Sequence, residues 1–343
     1  MKYLKSFDGL RAISILFVVF THAGINRLLP QGYFFQERIW LLFAGGTGVN
    51  IFFALSGFLI TRILLSELAK TGSLSLRHFY IRRALRLLPP LLILYAIIGA
   101  LMLTHQVQGT ATAFWFSFFY IYNFLPPGLN MGELAHTWSL AVEEQFYLTW
   151  PLILLFFKPR RAFYIGVDLV VLCVIARLFL WEINIMSDGH PTPITELYRT
   201  EVWFIPAVAP IILGALGAIV LIDNKKLEDT LRSYHRFFLL VAAVLFASPL
   251  YFASYISELN YIVQSLGVVL LLALLMLRED TRVSKILGIR PLVYIGRISY
   301  GIYVYQGLAV HFGPAGQIPA IAIAILSYHF VETPILRLKE KFR

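Results

Sequence analysis

Three places in the sequence set ionisable side chains inside otherwise apolar stretches, where a charge is costly and is a candidate for function. The first is Phe7-Asp8-Gly9-Leu10-Arg11, followed by an apolar run that ends at Thr21-His22. Arg11 and His22 are eleven positions apart. That is close to three whole turns of α-helix, so the two share a face at an offset of about 16 Å, with Asp8 and Ser14 near the same stripe. A neutral imidazole is tolerated in lipid and accepts a proton, which is what activation of a hydroxyl requires. The plainer alternative is a snorkelling arginine and a histidine hydrogen-bonded between helices.

The second place runs from His136 to Tyr147, with His136, Ser139, Glu143 and Tyr147 recurring at the spacing of one helical face. Glu144 points a quarter-turn or more away, and Trp138 lies on the same segment. Two adjacent carboxylates in an apolar stretch allow two readings. One pairs with an arginine of a neighbouring helix and holds the bundle together. In the other, Glu143 orients or charge-balances His22, as the acid of a catalytic triad does. The third place is His78–Pro90, where Arg82, Arg83 and Arg86 sit on an amphipathic helix that abuts a span. They serve either as anchors to anionic lipid or as a forked clamp for the phosphates of a cosubstrate, with Arg11 as a further candidate. Asn50 and Ser56 lie in the glycine-bearing stretch Gly46–Phe58, where small residues also serve close helix packing. No metal-ligand spacing, phosphate-binding glycine loop or haem motif occurs, and the single Cys173 lies among apolar neighbours where a reactive thiolate is not expected.

The elements that must position these residues follow from composition. Of 343 residues, 59% are apolar and 14% charged, with a mean hydropathy of +0.74. That leaves too little polar surface to cover a water-soluble globule, and one cysteine cannot staple a secreted fold. The net charge of +10 then reads as membrane topology and not as nucleic-acid binding. Candidate spans run over 10–27, 46–66, 87–104, 111–125, 135–157, 162–183, 202–222, 237–256, 260–277, 291–312 and 317–336. Basic residues gather in alternate connections: Lys2 and Lys5; Lys70 to Arg86; Lys158 to Arg161; Lys225 to Arg236; Arg278 to Arg290; and Arg337 to Arg343. The connections 104–110, 184–200, 256–259 and 313–317 are poor in Lys and Arg. If basic loops face the cytoplasm, both termini are inside, and one of the two apolar stretches between 104 and 161 does not cross. The aromatic run Phe114–Phe124 is the shorter and closes with Pro126-Pro127-Gly128, so it is assigned to the interface or to a re-entrant segment. The expectation is an all-α, polytopic transmembrane helical bundle of about ten crossings. It forms a single domain over residues 1–343, without an appended soluble domain.

These elements, in this order, resemble the acyltransferase family 3 of multi-pass membrane O-acyltransferases. The likeness is carried by Phe7–His22 with its Arg-x10-His spacing, by Gly48–Thr61, by Phe79–Pro89 with Arg83-x-x-Arg86, by Thr137–Pro151, by Ile298–Tyr305 and by the closing Tyr328–Pro334. Six collinear matches cover essentially the whole chain. The resemblance implies about ten spans in a bacterial cell membrane. It also implies transfer of an acyl group, usually acetyl, from cytoplasmic acyl-CoA to a hydroxyl of an extracytoplasmic or lipid-linked glycan. Acyl-CoA is then a cosubstrate, with no permanently bound cofactor. Two positions depart from the pattern: Asn50 stands where relatives often carry an acid, and Gln306 where the motif often ends in His. Some larger relatives append an extracytoplasmic hydrolase-like domain. A chain ending at Arg343 is expected to deliver the acyl group itself or to hand it to a separate partner.

Joined to the helical spacing, the resemblance gives a specific expectation. The arginines hold CoA's nucleotide at the cytoplasmic mouth, and the pantetheine arm rises along the Arg11–His22 stripe. His22 then acts as general base or acyl carrier. A transporter or flippase for a lipid or glycan would also bury His, Glu and Arg along a path, and acylation of a small molecule such as an antibiotic is a further alternative.

Overall fold

The computed structural model describes residues 3–25, 38–186, 200–222, 224–251 and 257–338. Most of the 184–200 connection lies outside the described residues, as do Lys2, Lys339, Lys341 and Arg343. Among the described residues every regular element is helical. In chain order the principal helices are α1 (Lys5–His22), α2 (Gly45–Thr71), α3 (Leu76–Leu103), α4 (Ala111–Phe118), α5 (Thr137–Phe156) and α6 (Pro159–Met186). They continue with α7 (Ala209–Leu221), α8 (Lys225–Ser233), α9 (His235–Phe246), α10 (Ser257–Leu277), α11 (Arg282–Leu287) and α12 (Arg290–Tyr305). A 3-10 stretch over Gln306–Gly316 follows, then α13 (Gln317–Ser327), a π-turn at Tyr328–Glu332 and α14 (Thr333–Leu338).

Among the described residues five stretches are long and apolar enough to cross a membrane: Gly45–Thr71, Leu76–Leu103, Pro159–Leu180, Leu259–Leu277 and Gln317–Arg337. The remaining candidate spans are shorter or more polar than their hydropathy windows suggest. The window 202–222 resolves into single turns and the 13-residue α7, and 237–256 into the 12-residue α9 and a 3-10 turn. The window 291–312 breaks at Tyr305, where α12 gives way to the 3-10 stretch. A hydropathy window sums helix and apolar turn alike, so it cannot see these breaks. Segment Phe114–Phe124 behaves as its composition suggests. Its helix α4 has eight residues, a rise of about 12 Å against a hydrocarbon layer of about 30 Å. Three 3-10 turns then lead back to α5.

Helix α3 differs from expectation in a useful way. The basic segment and the span after it are one continuous 28-residue helix running through Pro89 and Pro90. Ser75 caps its start, and the Glu67 carboxylate accepts from the Ser75 amide at 2.8 Å. The arginines are therefore held in register with the membrane-crossing half of the same helix.

The centre of the bundle is set by backbone-to-backbone approach. At Gly57 of α2 a Cβ would stand 1.8 Å from the Ile211 carbonyl oxygen, and at Gly214 of α7 one would stand 2.0 Å from that of Ala54. Only glycine allows that crossing, which is the small-residue packing expected where lipid gives no hydrophobic drive between helices. Helix α1 packs against both α2 and α12. The indole N–H of Trp150 donates to Thr61 Oγ1 at 2.8 Å and ties α5 to α2. Helices α1, α2, α3, α5 and α12 thereby surround a common space.

Candidate active site

That space is a cavity of about 180 Å³, with Arg11, Arg82, Arg83, Arg86 and Glu143 in its wall. Four guanidinium groups in one pocket repel one another unless anions answer them. Two have their answer in the protein. Arg11 donates to the buried Asp8 at 2.6 Å, and Asp8 also accepts from Tyr3. Arg297 closes this cluster, donating to the Tyr3 hydroxyl at 3.1 Å. Burial and the bond to Asp8 hold the Tyr3 phenol above its ordinary pKa. Arg82 meets Glu67 at 3.4 Å, the same carboxylate that caps α3. The other two differ. Among the described residues neither Arg83 nor Arg86 forms an ion pair. Arg83 lies 4.3 Å from the centre of the Tyr147 ring, a cation–π contact. Arg86 is within electrostatic reach of Arg11 and Arg83 and also of the Asp8 and Glu332 carboxylates, without an ion pair to either.

The opposite wall is built by α5 and α12. Ser56 of α2 bonds the Tyr147 hydroxyl, and that hydroxyl donates to Glu143 Oε1. A hydroxyl has one proton, so the chain runs Ser56 to Tyr147 to Glu143. Ser139, Tyr300 and Tyr303 also face the cavity. The Tyr300 hydroxyl donates to the Leu87 carbonyl of α3 at 3.0 Å, and Tyr303 donates to the His136 carbonyl at 3.0 Å.

His22 closes the last turn of α1 and is not part of the cavity wall. Its Nδ1 lies 2.9 Å from the Val18 carbonyl. A carbonyl only accepts, so Nδ1 carries the proton and Nε2 of the neutral ring keeps its lone pair. His22 is within electrostatic reach of His136, whose ring lies 5.5 Å from that of Tyr303 in edge contact. No hydrogen bond joins His22 to Glu143 among the described residues; the carboxylate is held by Tyr147 instead.

The structure thus brings Arg11, Arg82, Arg83, Arg86 and Glu143 together, sets His136 against Tyr303, and leaves His22 exposed at the end of α1, outside the cavity wall. Asp8 stands behind Arg11. Asn50, Trp138 and Glu144 do not line the cavity. Trp138 packs on Phe53 at 6.2 Å, and Glu144 lies within electrostatic reach of Arg83. The residues that sequence reasoning did not select are Tyr147, Tyr300 and Tyr303. The signal was present for Tyr147, four positions after Glu143 on its face, and the other two belong to the Ile298–Tyr305 motif.

Comparison with known proteins bears on this site. The acyltransferase-domain profile of acyltransferase family 3 matches residues 4–323. Peptidoglycan O-acetyltransferase OatA of Listeria monocytogenes is 29% identical over 97% of this chain and 56% of its own length. A Staphylococcus aureus protein named "Putative O-acetyltransferase" is 28% identical over 97% of this chain and 57% of its own. For "Putative peptidoglycan O-acetyltransferase YrhL" of Bacillus subtilis the values are 28%, 97% and 55%. The chain therefore spans a little over half the length of these curated relatives. No solved structure matches it.

Proposed function

Since this chain belongs to acyltransferase family 3, we propose that it is a membrane O-acetyltransferase of the bacterial cell envelope. In this reading it moves an acetyl group from cytoplasmic acetyl-CoA to a glycan hydroxyl outside, peptidoglycan being the acceptor that the names of two relatives suggest. The observation that carries it is the pair Arg83 and Arg86, cationic, cavity-facing and without a carboxylate partner, on the same wall system as Glu143. Such a pair suits a CoA diphosphate, which binds forked guanidinium groups through charge-assisted hydrogen bonds. About ten crossings with both termini inside put this mouth on the cytoplasmic side, since the basic connections adjoin it.

With the nucleotide at the arginines, the pantetheine arm carries the thioester toward Tyr303 and His22. Nε2 of His22 takes the proton from the acceptor hydroxyl, and the oxygen forms a bond to the thioester carbonyl carbon. The carbon–sulfur bond breaks, the thiolate leaves, and the proton passes from the imidazole to the sulfur. Attack by Nε2 itself, giving an acetyl-imidazole that the hydroxyl then cleaves, uses the same groups. Glu143, and not Glu144, faces the cavity, and its negative charge, held by Tyr147 and not bonded to His22, acts on the imidazolium only at a distance. The acceptor is either the glycan itself or a separate extracytoplasmic partner that passes the acetyl group on.

Detergent-solubilised protein is expected to bind acetyl-CoA and to release CoA in the presence of acceptor, and Arg86→Ala is expected to weaken that binding. Mass spectrometry of host surface glycans with and without the chain should show acetyl esters that depend on it. Unchanged acetyl content, or an absence of CoA binding, would instead favour a carrier that moves a lipid or glycan.

A further inference from the structure

Beyond Tyr303, away from the arginines, lie two buried side chains whose polar atoms find no protein partner. His136 is 7% exposed and Gln306 2%. Among the described residues neither ring nitrogen of His136 makes a hydrogen bond, and neither does the oxygen or nitrogen of the Gln306 amide. The Val304 backbone lies near the imidazole, outside hydrogen-bond geometry. Nearly all buried polar groups in folded proteins are paired, so four orphaned atoms on two side chains call for a physical cause.

Their placement supplies one. Tyr303, Gln306 and Gly307 fall at i, i+3 and i+4 and share a face of the chain as α12 gives way to the 3-10 stretch. Both flanking members of that set touch His136. The Tyr303 ring meets it edge-on, and a Cβ on Gly307 would stand 2.6 Å from its Cε1. Gln306 therefore faces the same quarter of the bundle as the imidazole. The 3-10 stretch also contacts α1, and His22 is within electrostatic reach of His136. The four unpaired atoms thus belong to side chains that neither line the arginine cavity nor bond another described residue, on or against the 3-10 stretch that adjoins α1.

We propose that His136 and Gln306 form the acceptor subsite, a paired donor and acceptor that holds the incoming alcohol beside Nε2 of His22. This rests on the O-acetyltransferase reading and deepens it. A neutral imidazole offers one N–H and one lone pair, and a primary amide offers a carbonyl and an NH₂. With the alcohol's one proton facing the base, its oxygen accepts from the imidazole N–H and the Gln306 NH₂, and neighbouring hydroxyls of the same glycan donate to the imidazole lone pair and the amide carbonyl. A buried water has the same chemistry, and the experiment separates the two.

The test uses the purified full chain with labelled acetyl-CoA and soluble peptidoglycan fragments as acceptor. Gln306→Leu is expected to lower kcat/KM for the fragment roughly 10- to 100-fold, as expected when a site built to hydrogen-bond a hydroxyl loses its polar partner. The Kd for CoA should stay at the wild-type value. Gln306→His, which keeps a donor and an acceptor, is expected to retain most of the activity. Gln306→Met preserves side-chain volume and gives the same readout if the Leu variant fails to fold. Wild-type kcat/KM in the Leu and Met variants would mean that the pair holds a structural water only, and would overturn the proposal. Parallel losses of CoA affinity and melting temperature would overturn it too, as would loss of activity in Gln306→His. A wild-type chain that acetylates no hydroxyl while binding CoA would remove the acetyltransferase reading itself, an outcome distinct from a silent Gln306 variant.

Discussion

At the charged wall of the cavity the protein completes most of its own bonds. Asp8 receives Arg11 and Tyr3, Glu67 receives Arg82 and the Ser75 amide, and Tyr147 passes a hydrogen bond from Ser56 to Glu143. Around His22, His136 and Gln306 the opposite holds. Among the described residues His22 bonds only the carbonyl one turn back, and His136 and Gln306 bond nothing through their side chains. The contrast separates two tasks. A wall with Arg11 and Arg82 pre-paired is rigid before ligand arrives and leaves Arg83 and Arg86 for it, and preorganised groups bind and stabilise charge without reorganising. The far end keeps its donors and acceptors in hand, as a place must where bonds are to be made to something that comes and goes.

The sharpest way to break this comparison is His22→Ala. General-base catalysis contributes about 10²- to 10⁴-fold, so acetyl transfer to glycan should fall by at least that much, while membrane insertion and CoA affinity stay unchanged. Labelled acetyl transfer and CoA titration on the same sample check both. Transfer at the wild-type rate would place the chemistry elsewhere, and a collapse of CoA binding would show that the far end is not independent of the wall.

Next in size is Arg86→Ala. Hydrogen bonds to charged groups are worth about 1.5–3 kcal/mol, so KM for acetyl-CoA should rise roughly 10- to 100-fold with kcat less affected. The apparent affinity should also become less sensitive to salt, because a screened charge has been removed. If expression or orientation changed instead, the arginine would be serving the lipid surface.

Tyr147→Phe tests the wall from within. The ring remains beneath Arg83 at the same cation–π position, so CoA affinity should hold. The bond to Glu143 is lost, and kcat is expected to drop about tenfold. A change in KM for acetyl-CoA without a change in kcat would show that Tyr147 matters through Arg83 and not through the carboxylate.

How much of this was legible in the sequence depends on what kind of information each residue carries. The arginine stripe and Glu143 were legible because charge in an apolar run is rare and helical spacing fixes a face. That the helix in Phe114–Phe124 is too short to cross could be read from its length and its Pro126-Pro127-Gly128 close. Helix breaks within apolar windows were not, since the 3-10 stretch after Tyr305 is as apolar as the helix before it. Partnering was invisible too. Nothing in the order of residues says that Glu67 answers Arg82 while Arg86 forms no ion pair, because that is decided by how the start of α3 folds back on the end of α2. The expected link from Glu143 to His22 shows the same limit. Both residues were picked by type, yet the carboxylate bonds the tyrosine four positions along its own helix.

The smallest expected effect comes from Arg82→Ala. Arg82 shares the helix and the cavity with Arg86, but its charge already meets Glu67, and a partly exposed pair of this kind contributes at most about 1 kcal/mol. KM for acetyl-CoA should therefore rise by no more than about fivefold, well short of the Arg86 effect. Glu67→Gln makes the complementary test. Without that carboxylate Arg82 loses one of its charged partners, so CoA binding at low salt should tighten by a few-fold at most, with the gain fading as salt screens it. Equal effects of Arg82→Ala and Arg86→Ala would mean that internal pairing does not decide which arginine takes the phosphate, and the distinction between answered and unanswered charges would lose its meaning.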